Sequence, residues 1–318
     1  MISKLLRIIT LPLRWVTRLL AGPSHRPLWR RALRTILSLV LLWLLGTGIA
    51  ATAFTRRLTS PKPQPAPVVS WGVLENLRLK TSDGQEIGAW LNPSGTHAPV
   101  VLFLHGIGDT RSFWLPQMQM LAQHGYASMA ISFRAHGDSS GRIEDFGYSG
   151  RHDVQAAVEY LHARLPGRPI VLVGDSLGSA AAIYAAKSLD HHVAGYFLES
   201  PYHDLETAVR NRTNRAPPPF NWIAFQGLRL WAKVLIPEKT SVIRPIDDVG
   251  NIPTDVPVVF LATRRDRWCQ LWEVEDLHKA IAAHAKLVVI DSDKHGACSR
   301  TDSRRYDAEL LELLERAR

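Results

Sequence analysis

Ser176 lies at the centre of "GDSLG" (174–178), between the apolar run "PIVLV" and the small-residue run "SAAAIYAAKSL". A serine hydroxyl attacks a carbonyl only when a base takes its proton and a third group orients that base. Reacting groups in an open sheet gather beyond the carboxyl ends of the strands, so partners should follow strand-like runs. Asp266 does, four residues past "VVFLA" in "TRRDRW"; His295 does, after "LVVI" in "DSDKHGA". Ser176, Asp266 and His295 are therefore the candidate nucleophile, orienting acid and base. Glu199, after "AGYFL", is an alternative acid, although structural hydrogen bonding beneath the site suits it better. "GDSLG" could also be a plain strand-to-helix turn, and the partners are what raise it above that.

Acyl transfer also needs backbone N–H groups aimed at the developing oxyanion. Leu177, beside the serine, supplies one. The loop after "VVLFL" reads His105-Gly106-Ile107-Gly108, and its glycines let the N–H of Ile107 approach a substrate. His105 and His136 precede glycines and should brace the site, while Asp175 should point away across the turn. Gly174 and Gly178 let two backbones meet at a turn that pushes Ser176 outward. No His and carboxylate spacing suggests a metal, and no glycine pattern suggests a dinucleotide or phosphate loop, so no cofactor is expected.

The elements that must hold these residues alternate. "LENLRLKTSDGQEIGAWLNP" reads as a hairpin about "SDG". Strands follow at 100–106, 127–133, 170–173, 194–198, 258–262 and 286–290, with helices near 111–124, 151–164, 179–188, 271–285 and 302–316. Antiparallel entry strands followed by this alternation imply a mostly parallel, eight-stranded sheet wrapped by helices.

With "HGIG", "GDSLG", "FRAHGDSSGR", "FGYSGRHDVQAAVEYL", "RRDRW" and "DKHGAC" in this order, residues 70–318 resemble the α/β-hydrolase superfamily. The chain is most similar to its N-terminally membrane-anchored serine hydrolases, related to acylglycerol lipases and esterases. The resemblance implies the α/β-hydrolase fold and nucleophilic hydrolysis in the order serine, aspartate, histidine. Thr263 stands where a glycine commonly opens the acid loop. Cleavage of an ester or thioester is the leading expectation; a peptidase or amidase, and a non-catalytic binding protein of the same fold, are the alternatives.

The net charge of +9 is unevenly placed. Residues 1–62 hold eleven Lys or Arg and no acid, leaving 27 basic against 29 acidic residues over 63–318. That excludes nucleic acid as an expected partner and points to a membrane. Thr35–Thr55 carries no charge over 21 residues, enough to span a bilayer. Eight basic residues precede it, which places the N-terminus in the cytoplasm and the catalytic domain outside. A cleaved signal peptide ending near Ala51-Thr52-Ala53 is the rival reading.

The expected organisation is a basic amphipathic segment (1–34), a transmembrane helix (35–55), a Pro-rich linker (56–69) and a hydrolase domain (70–318). Lys4, Arg7, Arg14 and Arg18, interleaved with apolar residues and Trp15, suit a helix on the inner leaflet. The linker's "SPKPQPAP" should be an extended spacer lifting the domain roughly 20 to 25 Å from the bilayer. Residues 202–255 form a small insertion, a cap over Ser176 or a helix packed on the sheet. Phe220, Ile223, Leu228, Trp231, Val234 and Leu235 should share a face there, with Arg229 and Lys233 on another. An apolar acyl chain, from a small molecule or a lipid, is the expected substrate; oligomeric state is open. Cys269 and Cys298, each three residues past a candidate site residue, are a candidate disulfide, with unrelated buried thiols as the alternative.

Overall fold

The computed structural model describes residues 27–96 and 99–317. The basic segment bearing Lys4 to Arg18 lies outside the described residues. Eight strands form one sheet: β1 (Glu75–Lys80), β2 (Glu86–Asn92), β3 (Val100–Leu104), β4 (Ala127–Ser132), β5 (Ile170–Asp175), β6 (Gly195–Glu199), β7 (Val258–Thr263) and β8 (Ala285–Ile290). Their spatial order is β1-β2-β4-β3-β5-β6-β7-β8. β2 is antiparallel to β1 and β4, and every later pairing is parallel. This is the mostly parallel sheet expected from the alternation of runs.

β3, β4, β5, β6 and β7 are buried at every position, as strands covered on both faces must be. Alternate residues feed two cores: Leu102 and Leu104 lie in one, Val101 and Phe103 in the other. Helices α1 (Leu28–Thr55), α2 (Leu115–Gln123), α3 (Gly150–Arg164), α4 (Leu177–Leu189), α5 (Leu205–Thr213), α6 (Phe220–Leu235), α7 (Leu271–Ala280) and α8 (Ser303–Arg316) accompany the sheet. α3, α4 and α7 cover one face, while α2 and α8 cover the other.

α1 begins seven residues before the uncharged stretch, at Leu28 after Pro27, and is long and apolar enough to cross a membrane. Its end does not lead into a free spacer. The Glu144 N–H donates to Thr55 O at 2.8 Å, and the Arg57 N–H to Arg142 O at 2.9 Å. The Arg57 guanidinium donates to the carbonyls of Ser139 and Gly137, and buried Arg111 donates to Gln64 O. Ala66 and Val69 then pack on the core. The proline-spaced linker therefore lies along the domain and does not stand free of it as a spacer would.

The insertion departs from both readings of its apolar face. Phe225 and Ala232 point into a third core with Leu205 and Val209 of α5, while Phe220, Ile223 and Val234 are exposed. α6 packs on α5 and α1. Neither the sheet nor Ser176 receives it.

Candidate active site

The Ser176 turn joins β5 to α4. Ser176 adopts φ 50°, a left-handed conformation that costs a non-glycine residue of order 1 to 3 kcal/mol. Surrounding contacts impose it. The Ser176 N–H donates to Glu199 O at 2.8 Å, and a Cβ on Gly178 would collide with the backbone of Leu104. One added at Gly174 would meet Ser179 N at 2.6 Å. Both glycines thus permit the close approach that sets the serine at the carboxyl edge of the sheet.

His295 Nε2 lies 2.8 Å from Ser176 Oγ, and its Nδ1 lies 2.6 Å from Asp266 Oδ2. The second Asp266 oxygen accepts the N–H groups of Trp268 (2.8 Å) and Cys269 (3.1 Å), which fixes the carboxylate's orientation. Burial disfavours a charged His295, but the hydrogen bond and charge of Asp266 outweigh it, so the imidazole pKa is raised. Thr263, the departure from glycine, is fully buried and donates from Oγ1 to Lys294 O at 3.0 Å. It ties the loop bearing the acid to the loop bearing the histidine.

Glu199 is not beside His295 as an orienting acid; its carboxylate accepts the Cys298 N–H at 2.7 Å beneath the site. Asp175 does not leave the site. Its carboxyl sits where a Cβ on Gly106 or on Gly296 would meet it, at 2.6 and 2.7 Å, and it borders the same cavity as Ser176. Burial first, and the neighbouring Glu199 carboxylate second, raise its pKa.

The loop opposite Ser176 is braced by two histidines. His105 is fully buried; its Nε2 accepts the Phe133 N–H at 3.0 Å, so its Nδ1–H donates to Gly106 O at 2.7 Å. Burial holds it neutral, far below the ordinary imidazole range. His136 Nε2 accepts the Gly108 N–H at 3.2 Å and its Nδ1–H donates to Arg134 O. Neither the Ile107 N–H nor the Leu177 N–H reaches a protein acceptor among the described residues. Both remain free to donate to a ligand.

These groups border a cavity of about 270 Å³. Phe54, Ile107, Phe113 and Trp268 give it apolar walls, and Arg212 and Arg300 stand at its sides. Phe54, from α1, and Arg212, from α5, have no local sequence signature that would have placed them there. Trp268 was legible only as a neighbour of Asp266. No cluster among the described residues could hold a metal ion.

The expected Cys269–Cys298 bridge is absent: both thiols are free and buried. Cys269 faces the core on one side of the sheet, with Sγ donating to Pro201 O at 2.9 Å; Cys298 faces the core on the other. The two loops converge at the site, but their third residues turn to opposite faces.

Residues 99–236 match the family model of the alpha/beta hydrolase fold. Human monoglyceride lipase is 32% identical over 127 residues, covering 39% of this chain and 42% of that protein. Human protein ABHD12B is 30% identical over 153 residues, or 45% and 41% of the two chains. The matched stretch thus spans about two fifths of either relative. An esterase of Pyrococcus furiosus superposes with a TM-score of 0.67 at 20% identity, covering 81% of this chain and 97% of its own.

Proposed function

We propose that this chain, which has the α/β-hydrolase fold, is a membrane-anchored serine hydrolase that cleaves carboxylic esters or thioesters through an acyl-enzyme on Ser176. The observation that carries this reading is the unbroken relay from Ser176 Oγ through His295 to Asp266, at 2.8 and 2.6 Å. His295 Nε2 takes the hydroxyl proton as Ser176 Oγ bonds to the acyl carbon. The carbonyl oxygen becomes an oxyanion and accepts from the Ile107 and Leu177 N–H groups. His295 returns the proton to the leaving oxygen or sulfur as that bond breaks. Water, deprotonated by the same imidazole, then releases the acid and restores Ser176. Asp266 holds the imidazole with Nδ1 protonated and stabilises its cationic form.

The apolar cavity walls favour an acyl chain, and the name of the matched monoglyceride lipase points to the same class. α1 serves as an uncleaved anchor, with the N-terminus in the cytoplasm and the catalytic domain outside. A fluorophosphonate probe should label the intact protein covalently and leave Ser176→Ala unlabelled. Intact, folded protein that resists the probe would remove this function. Turnover of p-nitrophenyl acyl esters should exceed that of peptidyl anilides; the reverse order would make the enzyme an amidase. A reporter active only in the cytoplasm, fused after Arg318, should stay silent, and strong signal would reverse the orientation.

A further inference from the structure

α6 grips α1 well inside its uncharged stretch. The indole N–H of Trp43 donates to Ile223 O at 2.8 Å, and that of Trp231 donates to Leu44 O at 3.0 Å. The helices touch closely between these bonds. A Cβ on Gly227 would strike the Thr47 side chain, and one on Gly48 would meet the Trp231 ring at 2.9 Å. This is small-residue packing of the kind that lets helices associate without a hydrophobic drive from water.

The position of this contact has a consequence for the bilayer. Thr35–Thr55 is about 31 Å long at about 1.5 Å per residue, close to the hydrocarbon thickness of about 30 Å. Gly48 is then roughly 10 Å inside the end at Thr55, and Trp43 roughly 18 Å. A helix in contact there cannot remain in water while α1 spans the membrane.

The surface of α6 suits that placement. Ile223, Leu230 and Val234, at i, i+7 and i+11, form an exposed apolar stripe on the flank of the α1 contact. Exposed Leu45 and Ile49 of α1 continue the apolar surface. Arg229 and Lys233 point elsewhere, into a cleft of about 310 Å³ shared with Asp204 and Glu206. The two cations thus line a cleft apart from the apolar stripe. At the end of the same α1, Phe54 walls the cavity at Ser176.

We propose that α6 is a second membrane element, lying in the acyl region of the leaflet on the catalytic side and clamped to α1. The occupant of its exposed stripe is the hydrocarbon of that leaflet. The pair holds the Ser176 cavity against the lipid surface, so that an acyl chain enters past Phe54 directly from the bilayer. The inference rests on the reading of α1 as a span.

The test uses the full chain in phosphatidylcholine nanodiscs whose acyl chains carry a doxyl quencher. Leu230→Cys, Val234→Cys, Ile49→Cys and Lys279→Cys are each labelled with bimane, the native Cys269 and Cys298 being buried. Emission at positions 230, 234 and 49 should fall at least twofold relative to quencher-free lipid, and position 279 should hold its emission. Quenching at 49 with none at 230 or 234 overturns the proposal and leaves the anchor standing. No quenching at 49 removes both.

Discussion

Thr263 donates its hydroxyl to the carbonyl of Lys294 at 3.0 Å, joining the loop that carries Asp266 to the loop that carries His295. A glycine could make no such bond. Thr263→Val keeps the shape and deletes the donor, leaving a carbonyl unsatisfied near a fully buried position. The expected cost is about 1 kcal/mol of stability in urea unfolding, with kcat falling more than KM changes. Thr263→Ser should restore both. A variant with unchanged kcat and unfolding midpoint would show that the tie does not position the pair.

On the proposed mechanism, the raised pKa of His295 should set the acid limb of activity. The base must be neutral, so kcat/KM should be lost as pH falls through a value above 6.5. Asp266→Asn removes the carboxylate that raises it. That variant should shift the limb downward and lower kcat by up to about 10⁴, since the wrong tautomer is then favoured. A pH–rate profile of both proteins on a soluble ester checks this, and an unmoved limb would dissociate Asp266 from His295.

Asp175 is buried beside Glu199, and its Oδ1 has no hydrogen-bond partner among the described residues. Its pKa is raised on folding. By linkage, the associated stability is fully present below the unfolded value of 3.8 and is lost as pH rises through the folded one. Asp175→Asn cannot ionise. Its Tm should therefore gain on the parent between pH 5 and pH 9, and parallel Tm curves would count against a neutral buried Asp175.

The sheet was readable because its central strands are buried on both faces, which leaves uninterrupted apolar runs such as "VVLFL". The site loops were readable because each candidate site residue lies within five residues of the end of such a run. What stayed hidden depends on partners without side-chain signatures. Arg57 binds the carbonyls of Ser139 and Gly137, so nothing in "SPKPQPAP" announces that the linker docks. Gly227 and Gly48 become meaningful only once α1 and α6 are seen to cross. The cysteines misled for a related reason: equal spacing from two converging residues says nothing about which sheet face each thiol meets.

Cys269 and Cys298 give a direct check on that correction. Alkylation of denatured, unreduced protein should add two groups by mass. Reductant should change neither activity nor Tm, because no bridge ties the loops. A mass showing both thiols blocked would restore the disulfide.

Phe54 links the apolar helix α1 to the candidate site. It comes from the last turn of α1, is 46% exposed, and forms a wall of the Ser176 cavity. A short acyl group need not reach it, whereas a long chain entering from that side runs across the ring. Phe54→Ala removes roughly half a buried aromatic's worth of contact, about 1 kcal/mol. The expected result is a loss of about fivefold in kcat/KM on long-chain p-nitrophenyl esters, with acetate turnover held within twofold. The loss should fall mainly on KM, since the ring contacts the chain and not the reacting carbonyl. Equal losses on both esters would mean that Phe54 supports the shape of the site in general, and that the acyl chain takes another route.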